Sequence, residues 1–174
     1  MKFAATAAKI AHVEIEVVPL PAEQAVTLLT EPERFPERFG LTLVEGYLAF
    51  PEALEPTVEG LEGGIDPAWF THLIVEGTEV VGLGGFTGPP TDGAVEIGYS
   101  VAPSRQGRGV ATAAVGLWLE RAARGGVRRV VAHTLPEDNA STRVLRRHGF
   151  VHDGEAVDPD EGTVWRWARE LAGP

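Results

Sequence analysis

The chain has 174 residues, 44% of them hydrophobic, enough for a core of ordinary size and consistent with one domain over 1–174. It contains no cysteine, which excludes disulfides, thiolate metal sites and a cysteine acyl-enzyme. Its formal charge of -10 argues against nucleic acid as a partner, because phosphate backbones are gripped by clustered lysine and arginine.

That charge is unevenly spread. Between Pro103 and Phe150 nine arginines meet only Glu120, Glu137 and Asp138, while the rest of the chain is strongly acidic. Such a chain can offer a basic wall to an anionic ligand and an acidic wall to a cationic one, or the arginines can simply decorate solvated helix faces. The amino-terminal run carries a short alanine-rich stretch between Lys2 and Lys9. It is too brief for a leader's apolar region or a membrane span, so a cytoplasmic protein with no membrane partner is expected.

In chain order, Val13 to Val18 alternates apolar and acidic residues as a half-exposed strand does. Pro21 to Thr30 suits a helix with proline near its first turn. Glu31 to Asp66 is interrupted by Pro32, Pro36, Pro51 and Pro56, with short helical pieces expected around Glu45 to Ala49 and Pro56 to Glu62. Its acidic excess fits either a pocket for a cation or a solvated surface excursion. Trp69 and Phe70 fit either an apolar pocket wall or the core. Thr71 to Val75 and Glu79 to Phe86 read as strands joined through Glu76-Gly77-Thr78. In the strand Ala94 to Val101, Val95, Ile97, Tyr99 and Val101 share one face, and Glu96, Gly98 and Ser100 the other. Gly109 to Arg124 has helical spacing, and Gly125-Gly126 ends it. Arg128 to Leu135 is a strand, Glu137-Asp138-Asn139 caps a helix to about His148, and Phe150 to Asp153 and Thr163 to Ala168 are extended. Strands interleaved with helices give an α/β or α+β class.

The segment Val101 to Ala111 lies between a strand and a helix. Its glycines let the backbone approach a ligand closely, and the following helix start presents free N–H groups and a partial positive charge. That combination suits a diphosphate, with Arg105 and Arg108 adding charge beside it; an ordinary turn is the plain alternative. Two familiar phosphate loops do not fit. A P-loop needs lysine and serine or threonine after its second glycine, where Val110 and Ala111 stand; a dinucleotide fingerprint needs a third glycine, where Thr112 stands. Of the five histidines only His148 and His152 stand four apart, and the Gly149 stop signal falls between them, so no metal is expected.

The stretches EIGYSVAPSRQGRGVATAAV and TLPEDNASTRVLRRHGF resemble the two signature stretches of the GNAT superfamily of acyl-CoA-dependent N-acyltransferases. Gln106, Gly109 and Ala111 match its Q/R-x-x-G-x-G/A motif, and the NASTRVL run is similar to the branch that includes ribosomal-protein N-terminal alanine acetyltransferases. The resemblance implies a mixed, mostly antiparallel sheet of about six or seven strands flanked by helices, with acetyl-CoA as cosubstrate. It further implies that Gln106, Gly107, Arg108, Gly109, Val110 and Ala111 hold the coenzyme diphosphate, and that Tyr99, Ser100 and Val101 pair with the pantetheine arm. A Val101 N–H would face the thioester oxygen. Asn139 would contact the arm or cap its helix.

An amine acceptor, of cationic character if the acidic segment lines its pocket, must lose a proton before attack. Glu96 is the candidate base, since burial in an apolar strand would raise its pKa; a structural ion pair is the alternative reading. His133 and His72 are the other candidate bases. Many relatives donate a proton to the thiolate from a tyrosine, but Leu145 stands at that place, leaving Ser141 as the candidate acid unless it is only a cap. A catalytically silent acyl-CoA-binding module and a nucleotide enzyme sharing the glycine turn are the competing readings. Homodimer formation stays open.

Overall fold

The computed structural model describes residues 5–10 and 13–172, so the first four residues of the run weighed above as a leader lie outside them. The next part of that run is β1 (Thr6–Ile10), antiparallel to β2 (Val13–Pro19). Then come α1 (Ala22–Thr30), α2 (Phe35–Phe39), the two-residue β3 (Thr42–Leu43) and α3 (Leu54–Glu62). β4 (Thr71–Glu76), β5 (Glu79–Phe86) and β6 (Ala94–Val101) form an antiparallel meander. α4 (Val110–Arg124) crosses over to β7 (Arg129–Thr134), which runs parallel to β6. α5 (Ala140–Arg147) leads to the hairpin of β8 (Val151–Asp158) and β9 (Gly162–Glu170). The sheet order is β1-β2-β4-β5-β6-β7-β9-β8, with β3 parallel to the start of β5.

Helices cover both faces. α4 lays Val110, Ala114, Leu117 and Trp118 against Ile15, Ile74, Val95, Ile97 and Val130, and α5 adds Leu145 to the same cluster. The opposite face packs Leu20, Leu28, Phe35 and Leu54 against Leu73, Val75, Val80 and Leu83. β4 is therefore buried at every position, which is why it reads as a continuous apolar run instead of an alternating one.

The expected class and its mostly antiparallel sheet are present, with nine strands among the described residues in place of six or seven. The two additional strands are β1 and β3. β1 is a five-residue edge with two alanines and a lysine among its residues, and β3 is two residues long, so neither carries an apolar period. β8 runs on to Asp158 because backbone pairing with β9 holds it, although its side chains are mostly exposed. The helical piece expected around Glu45 to Ala49 does not form. Gly46 there has φ +78 and is packed so closely on Pro103 that an added Cβ would lie 2.7 Å from its Cδ. The segment instead makes a tight turn against the loop before α4.

Candidate functional site

β6 and β7 separate partway along their length. They are paired from Ala94↔Arg129 to Ile97↔Ala132, after which β6 continues to Val101 and β7 to Thr134 without further register. β5 still holds the other edge of β6, from Phe86↔Ile97 to Gly82↔Val101. Ala102 N–H donates to Val81 O at 2.8 Å, and Thr87 N–H to Glu96 O at 3.1 Å, so the even-numbered peptide groups of β6 face β5. By alternation, the N–H and C=O of Tyr99 and Val101 face the gap. The Val101 carbonyl accepts from Gln106 Nε2 at 3.0 Å, which leaves the N–H groups of Tyr99 and Val101 as donors on that edge.

The loop after β6 brings its peptide groups to the same place. Gly107 (φ +72) and Gly109 (φ +83) are left-handed, and Gly109 caps α4 with no side-chain hydrogen bond. The first N–H groups of a 15-residue helix thus stay free of a protein cap and carry its partial positive charge. Arg105 and Arg108, expected to add charge toward a ligand, are instead tied back to the β4–β5 hairpin. Arg105 Nη1 meets Glu76 Oε2 at 3.0 Å and Nη2 meets Glu79 Oε2 at 2.8 Å, while Arg108 Nη2 meets Glu76 Oε1 at 2.8 Å. They fix the loop, and the anion-attracting groups are the backbone amides.

A cleft of about 560 Å³ opens on the α3 face of the sheet and reaches the gap. Gly98, Tyr99, Ser100, His133, Asn139 and Ser141 all line it, so strands and helix bring together residues up to 43 positions apart in sequence. Gly98 forms bare floor, because an added Cβ would have nothing within 4 Å. Glu96 lies beside the cleft, in an adjoining groove that shares His133 and also includes Arg166. The burial expected for Glu96 is not found: its side chain is 43% exposed, and it is held by His133 Nδ1 at 2.9 Å from Oε1. His72 is sealed in the core with Nδ1 2.9 Å from Phe70 O, out of reach of any substrate.

Ser141 does not cap α5. Asn139 does, accepting from Thr142 N–H at 3.0 Å in a reciprocal capping box, so its Oδ1 is engaged while its Nδ2 has no partner among the described residues. The Ser141 hydroxyl is left uncommitted among the described residues, and Tyr99 Oη donates to the Ser141 carbonyl at 3.4 Å. Burial pushes the Tyr99 hydroxyl up to about 12, the bond to Ser141 offsetting only part of this, so it remains a protonated donor at neutral pH. Leu145 is fully buried.

Of the two aromatics before β4, Phe70 lines the cleft, and Trp69 packs edge-on against Phe86 at 5.1 Å between ring centres. The acidic 31–66 segment gives the cleft Leu48, Phe50, Ala53, Leu54, Pro56 and Thr57, and none of its carboxylates. Acidity comes instead from Asp158 and Glu161 at the β8–β9 turn, which the sequence reading did not single out. The signal available was Asp158-Pro159-Asp160-Glu161 itself, a turn followed by a strand. Among the described residues no helix is long and apolar enough to cross a membrane.

A family model described as the acetyltransferase (GNAT) domain matches residues 42–151. No curated protein matches significantly. Solved structures with a similar fold include RimJ from Mycobacterium smegmatis in complex with CoA-disulfide, at 20% identity and TM-score 0.69, covering 95% of this chain and 86% of that one. RimL, a ribosomal L7/L12 alpha-N-protein acetyltransferase in complex with coenzyme A, has 21% identity, TM-score 0.66 and coverage of 95% and 98%. The ribosomal-protein-S5-alanine acetyltransferase from Vibrio fischeri has 18% identity, TM-score 0.64 and coverage of 95% and 96%.

Proposed function

This chain belongs to the GNAT acetyltransferase family, and from that premise we propose that it acts as one domain moving an acetyl group from acetyl-CoA to a primary amine within a ternary complex. The observation that carries this reading is the parting of β6 from β7 after Ile97 and Ala132. It leaves one strand edge with free peptide groups leading to an uncapped helix start, a fit for a cosubstrate with an amide-containing arm and a diphosphate. The coenzyme bound in the RimJ and RimL structures supports the same cosubstrate here. Tyr99, Ser100 and Val101 would hold the arm, the amides from Gln106 through Gly107, Arg108, Gly109 and Val110 to Ala111 the diphosphate, and Asn139 Nδ2 the arm's far side. The ribosomal acceptors of RimL and of the Vibrio fischeri acetyltransferase favour a protein amino terminus among the candidate amines.

The chemistry asked of the chain is modest. As the amine nitrogen bonds to the acyl carbon and the C–S bond breaks, one proton must leave the amine and one must reach the sulfur. Glu96 and His133 take the first together. With Nδ1–H donated to Glu96, the His133 Nε2 lone pair faces substrate, and the carboxylate steadies the positive charge the ring acquires. The Ser141 hydroxyl supplies the second, with the Tyr99 phenol beside it. The Val101 N–H meets the charge developing on the acyl oxygen, an effect of about 3–4 kcal/mol per donor in other enzymes.

Calorimetry with acetyl-CoA, combined with thiol detection of CoA release across an amine panel, tests the reading. The chain has no cysteine to add background. Binding with amine-dependent release is expected, and Glu96→Gln should slow release by about a hundredfold with binding retained. Binding without release for any amine would leave the silent acyl-CoA-binding module, and no binding at millimolar CoA would remove the cosubstrate altogether.

A further inference from the structure

The cleft is chemically divided in a way the transfer reaction alone does not require. Across the sheet, its β4–β5 side is walled by Leu48, Phe50, Leu54, Phe70 and Leu83, its middle by Gly98 and His133, and its β9 side by Asp158 and Glu161. Leu54, Phe70 and Leu83 are buried, and Phe50 presents a half-exposed ring. The two hydroxyls of the apolar lobe are already engaged with each other and with the backbone. Thr57 Oγ1 donates to Ala53 O at 3.1 Å, and the Thr71 hydroxyl then donates to Thr57 Oγ1 at 2.7 Å. A polar substituent placed in this lobe would lose its water and find no partner, whereas an apolar one loses only its contact with water.

Charge narrows the choice further. No lysine or arginine is among the described residues lining the cleft, and Arg166 in the adjoining groove is held by Asp153 Oδ2 at 3.2 Å, so a carboxylate near the amine would meet no uncommitted counter-ion among them. On the far rim Asp158 Oδ1 accepts the N–H groups of Glu161 and Asp160 at 2.9 and 2.8 Å. Those bonds, that of Glu161 foremost, hold its carboxyl below the usual range, so the rim is anionic at neutral pH. Such a rim draws an ammonium toward His133 and repels a carboxylate.

Resting on the acetyltransferase reading, we infer that the acceptor is a primary amine borne next to an aromatic or branched aliphatic group, with no carboxylate nearby. The apolar group seats against Phe50, Phe70 and Leu83, and the amine lies over Gly98 facing His133. A peptide amino terminus with an apolar first residue has this chemistry, as does an arylalkylamine; a free amino acid does not.

Phenylalanine amide, serine amide and free phenylalanine separate the terms, with CoA release as the readout and calorimetric binding of N-acetylphenylalanine amide as a measurement independent of turnover. Phenylalanine amide should exceed each of the other two in kcat/KM by about tenfold or more, the scale set by filling an apolar pocket. Phe50→Ser, at a half-exposed position whose loss the fold tolerates, should shrink the phenylalanine-to-serine ratio. Release with a ratio of one or less, or equal use of free phenylalanine, overturns the inference and leaves acetyl transfer standing. Binding of the acetylated amide without release from any amine keeps the pocket and discards the transfer, and neither binding nor release discards both.

Discussion

Gly85 and Gly98 sit opposite each other on neighbouring strands and are glycine for opposite reasons. Gly85 has φ +130, and a Cβ there would lie 2.5 Å from Phe70 O and 2.6 Å from His72 Nδ1. The protein itself has filled that space. Gly98 has no such backbone demand, and a Cβ there would meet nothing within 4 Å. One glycine is kept by packing; the other leaves a cleft open. The same contrast runs through the sheet, since β4 is buried at every position and paired on both edges while β6 beyond Ile97 is held on one edge only.

The filled side breaks most strongly through its filler. His72 is fully buried, with Phe86 and Trp118 edge-on to its ring and Nε2 without a partner among the described residues. Burial lowers its pKa to about 3, with the Arg121 charge helping and the Phe70 carbonyl opposing. The folded value lies below the ordinary 6.5, so the unfolded chain binds the extra proton in this window. Stability is therefore full above pH 6.5 and drains as pH falls toward 3, by on the order of 4 kcal/mol from this group. Urea midpoints measured from pH 7 to 3 should fall more steeply for the native chain than for His72→Leu. Parallel slopes would mean that His72 does not carry the acid sensitivity.

The two glycines give the next largest effects. Gly85→Ala should cost about 3 kcal/mol, from overpacking and from a side chain at positive φ. Gly98→Val should leave stability within about 0.5 kcal/mol yet lower kcat/KM about a hundredfold by displacing the amine. Thermal melts beside CoA-release kinetics decide the pair. If Gly98→Val melts early, its open space is structural; if it turns over normally, the amine does not pass over it.

Gly98 shows how far sequence could lead. Its parity with Glu96 and Ser100 was legible, because strand alternation is local, and so were the glycine turn and the α4 start, whose geometry is set within a few residues. The partners of those residues were not. Glu96 was expected to be buried, since an acidic residue flanked by Val95 and Ile97 looks enclosed; only the third dimension puts His133 against it and solvent beside it. The acidic 31–66 segment turned its apolar residues inward for the same reason, because a proline-broken run has no period from which to read a face. Asn139 could be read as cap or contact, and the capping box engages its Oδ1 while its Nδ2 has no partner among the described residues.

Arg105 and Arg108 supply the smallest effect and the sharpest sign. Read from sequence, they belong to the ligand; in the fold, Glu76 holds both, with its side chain only 10% exposed. If the arginines served the diphosphate and Glu76 competed for them, Glu76→Gln would release Arg108, leave Arg105 held by Glu79 alone and tighten CoA binding. If Glu76 holds the loop so that its amides converge, the same change loosens the loop and weakens binding, although it removes a negative charge near an anionic ligand. The second outcome is expected, at about fivefold, since Arg108 is half exposed and its share must be discounted for solvent screening. Calorimetry at two salt concentrations reads it: a loop effect persists at high salt, whereas competition for freed arginines fades as their charge is screened.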